Sequence, residues 1–298
     1  MRTYLECYSC FIKQALASAK LAGADLQTQK KVLDQVARSL PVFPLTASPP
    51  EMGRNINNII KKLTGNNDPY KEIKIKSNKL ALRIYSLLKN QAARSHDKLL
   101  TSIELAIAGN IIDYGAKNSL NIEEEIAKIL RKEYKTLKHE NRTMFNYRGF
   151  KSALNKAKTI LYLADNAGET VFDRILIEEI KRIDRNKRII YAVKEKPTIN
   201  DALMEDAIYC GIDKSAEIVS SGAETPGTLL KCCNARFLKE FKNADMVISK
   251  GQGNFEALSD TKRPVFFLLM AKCFVIAKHI SSLGLKCNVG DIVLYCHK

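Results

Sequence analysis

No uninterrupted apolar run in this chain reaches the ~18 to 20 residues that a membrane-spanning helix needs. Its start, Met1-Arg-Thr-Tyr-Leu-Glu, lacks the apolar stretch that directs secretion. Neither a membrane protein nor a secreted one is expected, and the cytoplasm is the expected compartment. Cysteine is sparse: Cys7, Cys10, Cys210, Cys232, Cys233, Cys273, Cys287 and Cys296 are too few for a disulfide scaffold in a chain of 298 residues, so most are expected to be reduced. Cys7-Tyr-Ser-Cys10 has the spacing of half a zinc site, but no second pair and no His-x₃₋₅-His follows at usable distance. A structural role at the start of the first helix is the expectation for these two thiols. Acidic residues are outnumbered, 32 Asp+Glu against 48 Lys+Arg, giving a formal charge of +16 that attracts polyanions. The basic residues are dispersed along helical segments such as Lys71 to Lys79, with no arginine-rich arm, no interleaved aromatic platform and no zinc-finger spacing. Nucleic acid is therefore not the expected partner; a lysine-rich solvated surface that draws in small phosphorylated compounds is. No internal repeat and no low-complexity tract is present.

Residues 1–145 carry a helical pattern. Asp25-Leu-Gln-Thr and Ser48-Pro-Pro-Glu51 place a capping residue before a helical run, the second with proline at the first helical position and a glutamate three residues after the cap. Apolar residues recur at three- and four-residue intervals, as in Ile56, Ile59, Ile60, Leu63 and again Leu80, Ile84, Leu87, Leu88. Gly65 and Gly115 are expected helix ends, and Cys10 to Leu21 reads as the first helix. A polar stretch, Lys135 to Arg148, marks the boundary, and residues 146–298 alternate short β-branched runs with helices. The runs are Thr159 to Ala164, Arg188 to Val193, Glu217 to Ser220, Met246 to Ser249, Val265 to Leu269 and Asp291 to Tyr295. Val171, Phe172, Ile175, Leu176, Ile180 and Ile183 make one face of a helix, and Leu229 to Phe241 offers another. Strands separated by helices predict an α/β fold with a mostly parallel, doubly wound sheet, the first half forming a helical subdomain or cap.

The loop after the first strand, Asp165-Asn166-Ala-Gly168-Glu169, brings a carboxylate and an amide oxygen to the carboxyl edge of that sheet, a pairing that suits a hard cation such as Mg²⁺ or Mn²⁺. Parallel topology gathers Asp165, Asn166, Asp201, Lys250 and Asn254 into one crevice. Singly, Asp165 and Asp201 are equally readable as helix caps. Lys250-Gly-Gln-Gly-Asn254 has the composition of an anion-binding loop but neither the P-loop spacing nor the dinucleotide fingerprint, since Glu256 stands where the third glycine would be. Asn110 and Asp113 put two polar groups into an otherwise apolar helix, where they need partners: either they are buried and hydrogen-bonded or they roof the crevice from the helical subdomain.

Taken in order, Glu6-Cys-x-x-Cys10, Pro49-Pro-Glu-Met-Gly-Arg54, Ala108-Gly-Asn-Ile-Ile-Asp113, Asp165-Asn-Ala-Gly-Glu169, Asn200-Asp201 with Met204-Glu-Asp206, Pro226-Gly-Thr228 and Lys250-Gly-Gln-Gly-Asn-Phe-Glu256 resemble the metal-dependent damage-control phosphatases, the family catalogued as domain of unknown function 89. The paired cysteines resemble its stand-alone archaeal and bacterial branch. The resemblance implies a helical domain packed on a Rossmann-like α/β/α sandwich and a divalent ion (Mn²⁺, Ni²⁺, Co²⁺ or Mg²⁺) held at Asp165, Asn166 and Asp201. It also implies hydrolysis of phosphate monoesters of small metabolites, including damaged or surplus sugar phosphates, nucleotides and phosphorylated cofactor intermediates. Asp165, Asn166, Asp201 and Lys250 are the expected catalytic set, with Lys250 adding positive charge at the phosphoryl group. Asn110, Asp113, Glu169, Asn254 and Glu256 are the candidate substrate contacts. Direct attack by Asp165 and attack by an activated water are both compatible with these residues. Ala223-Glu224 departs from the family's more polar, aspartate-containing loop, which bears on substrate preference. Two other classes compete: a non-catalytic anion-binding protein, and an S-adenosylmethionine-dependent carboxyl methyltransferase, against which stands the lack of a glycine-rich loop with a following acidic ribose ligand.

Overall fold

The computed structural model describes residues 1–109, 144–284 and 286–296, and the expected helix end at Gly115 lies outside them. Five helices come first: α1 (Glu6–Leu21), α2 (Leu26–Ser39), α3 (Pro49–Thr64), α4 (Lys71–Arg94) and α5 (Lys98–Ala108). Their ends follow local chemistry. Asp25 accepts from the Thr28 N–H at 2.7 Å, Glu51 reaches back to the Ser48 N–H at 3.0 Å behind Pro49 and Pro50, and Gly65 closes α3 at φ +70°. The first helix starts at Glu6 rather than Cys10, because Leu5 already has helical dihedrals, so both cysteines lie in its first two turns.

After α6 (Tyr147–Lys156) the chain alternates. It forms β1 (Thr159–Leu163), α7 (Glu169–Ile183), β2 (Arg188–Val193), α8 (Met204–Tyr209), β3 (Glu217–Ser220), α9 (Ala235–Asn243), β4 (Met246–Lys250), α10 (Gln252–Leu258), β5 (Phe266–Met270), α11 (Phe274–Ser282) and β6 (Ile292–Cys296). Every predicted strand is present within one residue. The predicted helix from Leu229 is shorter: Asn234 accepts from the Phe237 N–H at 2.8 Å and starts α9 at Ala235. The strand order is β3-β2-β1-β4-β5-β6, parallel throughout except for β6, which runs antiparallel to β5.

Successive strand residues point to opposite faces, and each face has its own core. Ile160, Tyr162, Ile189, Tyr191, Met246 and Ile248 pack with Phe150 and Leu154 of α6, Leu176, Ile177 and Ile180 of α7, and Leu99 and Ile103 of α5. On the other face Leu161, Leu163, Ile190, Val247 and Phe267 meet Phe237 and Phe241 of α9, Phe255 of α10 and Ile276 and Ile280 of α11. The result is an α/β/α sandwich. Helices α1 to α3 have a separate core of Phe11, Ala15, Val32, Val36, Met52, Ile56 and Ile60, whereas α4 packs through Ala81, Ile84 and Leu88 onto Val171, Phe172 and Ile175 of α7. Among the described residues no helix is long and apolar enough to cross a membrane.

Candidate active site

The chain runs outward from β1 to β2 and β3, then returns to lay β4 on the other side of β1, so the strand order reverses between β1 and β4. Ligands in open α/β sheets bind beyond the carboxyl ends of strands at such a reversal. Leu163 pairs with Ser249 there, bringing Asp165 beside Gly251. Gly251 has φ +79°, and a Cβ on it would overlap the Asp165 carboxylate, so the glycine is required both for the turn and for the close approach.

A second segment arrives from the loop after β2. The Ala167 N–H donates to Asn200 O and the Ala202 N–H to Asp165 O, each at 2.9 Å, an antiparallel bridge that sets Asn166 against Asp201. Neither aspartate is a helix cap, since Gly168 precedes α7 and Leu203 precedes α8. Asp165, Asn166 and Asp201 are 7%, 6% and 2% exposed, which puts two carboxylates and an amide in a common buried crevice. The Asn166 Nδ2 donates to Asp165 Oδ2 at 3.2 Å and to Glu169 Oε1 at 2.9 Å, fixing the orientation of the amide. Among the described residues no three His, Cys, Asp or Glu side chains form a ready-made metal cluster; the donor set here is mixed carboxylate and amide, which matches a hard cation.

Beneath this layer lies a network that the sequence did not announce. Lys250 Nζ donates to Asp173 Oδ1 at 2.8 Å and Glu169 Oε2 at 3.1 Å, and the Tyr162 and Tyr191 hydroxyls donate to the two Asp173 oxygens at 2.7 and 2.8 Å. Lys250 is fully buried, and its ammonium is bonded to the two carboxylates of α7. Burial alone would lower its pKa, but Asp173 and Glu169 outweigh burial and raise it. Burial pushes the Asp165 carboxyl well up, with the negative charges of Glu169 and Asp201 adding to the effect. Two lysines stand beside the crevice: Lys194, whose Nζ lies 3.5 Å from Asp201 Oδ2 and 3.3 Å from Thr228 Oγ1, and Lys272, whose charge acts on Asp165. A strand-ending lysine and two tyrosines inside apolar strands, whose hydroxyls need partners when buried, were the only signals available for these residues.

The substrate candidates divide. Glu169 faces the crevice as the link between Asn166 and Lys250. Asn254 is spent on the scaffold: its Nδ2 donates to Ala164 O and Lys250 O at 2.8 and 2.9 Å, and its Oδ1 accepts from Thr228 at 2.8 Å. Glu256 is directed elsewhere, accepting from Gln252 Nε2 at 2.9 Å; burial lifts its carboxyl to about 7. Asn110 and Asp113 lie outside the described residues. From the helical half, Asn78 of α4 accepts from the Gly168 N–H at 2.7 Å and donates to Asp206 at 2.7 Å, supporting the turn that begins α7.

Cys7 shares its surroundings with Glu256, Cys273 and Cys10, and burial, the largest influence, raises its thiol pKa, which keeps it protonated and unreactive at neutral pH. Replacing Cys7 and Cys10 together with serine is expected to lower the melting temperature while kcat on a soluble phosphate ester stays within about twofold, since a hydroxyl at the half-buried Cys7 packs poorly against the apolar core it touches, whereas Cys10 is exposed. Loss of turnover in a variant with normal melting behaviour would count against that reading.

The family model described as damage-control phosphatase ARMT1-like domain matches residues 3–286. An uncharacterized protein of Methanocaldococcus jannaschii is 36% identical over 297 residues, covering 97% of this chain and 93% of that one. A Pyrococcus horikoshii protein named damage-control phosphatase is 34% identical over 283 residues, 94% of each chain. The crystal structure of a domain-of-unknown-function-89 family protein from Pyrococcus horikoshii superimposes with a TM-score of 0.86 at 31% identity, covering 100% of both chains. With a match across nearly its full length and the same fold, the chain belongs to the damage-control phosphatase ARMT1-like family.

Proposed function

We propose that the chain is a metal-dependent phosphoric monoester hydrolase acting on small phosphorylated metabolites. The observation that carries this reading is a charge imbalance at the sheet reversal. Asp165, Glu169, Asp173 and Asp201 are buried there with Lys194 and Lys250, and Lys272 acts on Asp165 from nearer the surface, so among these described residues carboxylates outnumber ammonium groups four to three. Uncompensated buried charge is costly. A divalent cation offsets the excess, and oxygen donors from Asp165, Asn166 and Asp201 suit Mn²⁺, Mg²⁺, Co²⁺ or Ni²⁺.

Hydrolysis exchanges the ester oxygen at phosphorus for a water oxygen and releases an alcohol and inorganic phosphate. The cation, when bound, supplies Lewis acidity and neutralises charge on the transferred group. Lys194 adds a positive charge at the Asp201 side of the crevice. Lys250 holds Glu169, which holds Asn166, so the buried network keeps the ligand set oriented. The formal charge of +16 favours the approach of anionic substrates.

The test is phosphate release from p-nitrophenyl phosphate and from a panel of sugar phosphates and nucleotides, before and after chelation. Turnover is expected with added Mn²⁺, Ni²⁺, Co²⁺ or Mg²⁺, falling at least a hundredfold, an order-of-magnitude figure for lost charge stabilisation, in excess chelator and returning on metal addition. Phosphate release that is indifferent to chelation would overturn the metal assignment. Binding of the esters without any release would favour an anion-binding protein.

A further inference from the structure

The loop after β2 that delivers Asp201 is held in a sterically disfavoured conformation. Ile199 has φ +43° and is the one non-glycine residue with positive φ among the described residues. A β-branched side chain is poorly tolerated there because its Cβ crowds the backbone. The residue is the second of a turn closed by the Asp201 N–H donating to Thr198 O at 3.1 Å, and the turn reverses the chain so that Asn200 and Asp201 run antiparallel to Asn166. A strained turn of this kind persists only when its surroundings over-determine it.

Helix α3 supplies the outside hold. Asn57 Nδ2 and Lys61 Nζ, one helical turn apart on the same face, both donate to Pro197 O at 3.2 Å. Asn57 is 8% exposed on a helix whose neighbouring buried positions are the apolar Met52, Ile56 and Ile60, and these two donors leave that core to grip a backbone carbonyl two residues before Ile199. On the inner side the loop is fastened by the Ala167–Asn200 and Ala202–Asp165 hydrogen bonds. We infer that Asn57, Lys61 and Ile199 form a positioning device in which the helical half of the chain clamps the strained Thr198–Asp201 turn and thereby sets the Asp201 carboxylate against Asp165 for cation binding. The inference rests on the proposed metal site and adds to it that part of the site's preorganisation comes from α3, through a backbone carbonyl, without any ligand from that helix.

The experiment measures Mn²⁺ affinity by calorimetry on the full chain, alongside circular dichroism and melting of the metal-free protein. Asn57→Ala with Lys61→Met removes both donors and is expected to weaken Mn²⁺ binding about tenfold to a hundredfold, the range usual for partners that orient metal ligands. Asn57→Ala alone gives a smaller loss in the same direction, which keeps the test available should the double variant fold poorly. Adding Ile199→Gly to the donor-less background should restore most of the lost affinity, because glycine adopts positive φ without the clamp, whereas Ile199→Ala should restore none. Unchanged affinity in the donor-less variants, or equal recovery with alanine and glycine, overturns the device. No Mn²⁺ binding by the unmodified chain would instead overturn the metal site itself, so the two failures are distinguishable.

Discussion

Asp165→Asn is expected to abolish metal-stimulated phosphate release while leaving the metal-free protein at least as stable as the unmodified one. The two halves of this result have one cause. In the absence of a cation the Asp165 carboxyl is buried next to Glu169 and Asp201, and both burial and those charges disfavour its ionised form. An amide of the same shape still accepts the Asn166 hydrogen bond and removes the repulsion. In the proposed metal site that same carboxylate is a ligand. Its loss forfeits several kcal/mol of charge stabilisation, and since each ~1.4 kcal/mol is tenfold in rate, a fall of about a thousandfold or more follows. Calorimetry should find no Mn²⁺ binding in the accessible range. Retained metal affinity, or a large drop in the metal-free melting temperature, would show that Asp165 serves the fold instead of the ion.

Lys250→Met is expected to act in the opposite sense, as a stability defect first and a kinetic one second. The substitution leaves Glu169 and Asp173 buried without their shared counter-ion, and breaking a buried pair costs on the order of 3–5 kcal/mol. At about 2–4 °C per kcal/mol for a chain somewhat smaller than this one, the melting temperature should fall by roughly 10 °C. Burial already raises the Asp173 carboxyl against the pull of Lys250, and without the lysine it rises further. A carboxyl with a raised folded-state pKa binds its proton more tightly when folded, so stability drops as pH increases between the unfolded and folded values. The deficit should therefore grow as pH rises above the unfolded carboxylate value of about 4. Adding Asp173→Asn should recover part of it, since the two residues are directly coupled. A Lys250→Met protein with normal melting and reduced kcat would return the lysine to the phosphoryl group.

The local pattern was enough to find the elements. β-branched and apolar runs located the six strands of the described residues to within one residue, and caps such as Asp25 and Ser48-Pro-Pro-Glu51 located helix starts, because these signals act over four to eight neighbouring residues. The loop at Asp165 was legible for the same reason, as an abrupt exchange of apolar residues for oxygen donors. Strand order was not, and with it went the partners of the lysines. The strand run was read as ending at Ser249, which put Lys250 in a glycine-rich loop and hence near an anion; the structure extends β4 by that one residue. Side chains alternate along a strand, so Lys250 follows Met246 and Ile248 onto the face shared with Tyr162 and Tyr191, and falls into the carboxylates of α7. Lys194, from the loop just after β2, takes the place beside Asp201. The strain at Ile199 and the grip of α3 on Pro197 were beyond reach for a related reason: a backbone dihedral and a contact spanning 140 positions in the chain have no local composition to announce them. Sequence determined which segments form strands, helices and oxygen-bearing loops. Tertiary structure decided which charges meet, because that depends on strand order and on a one-residue alternation between faces.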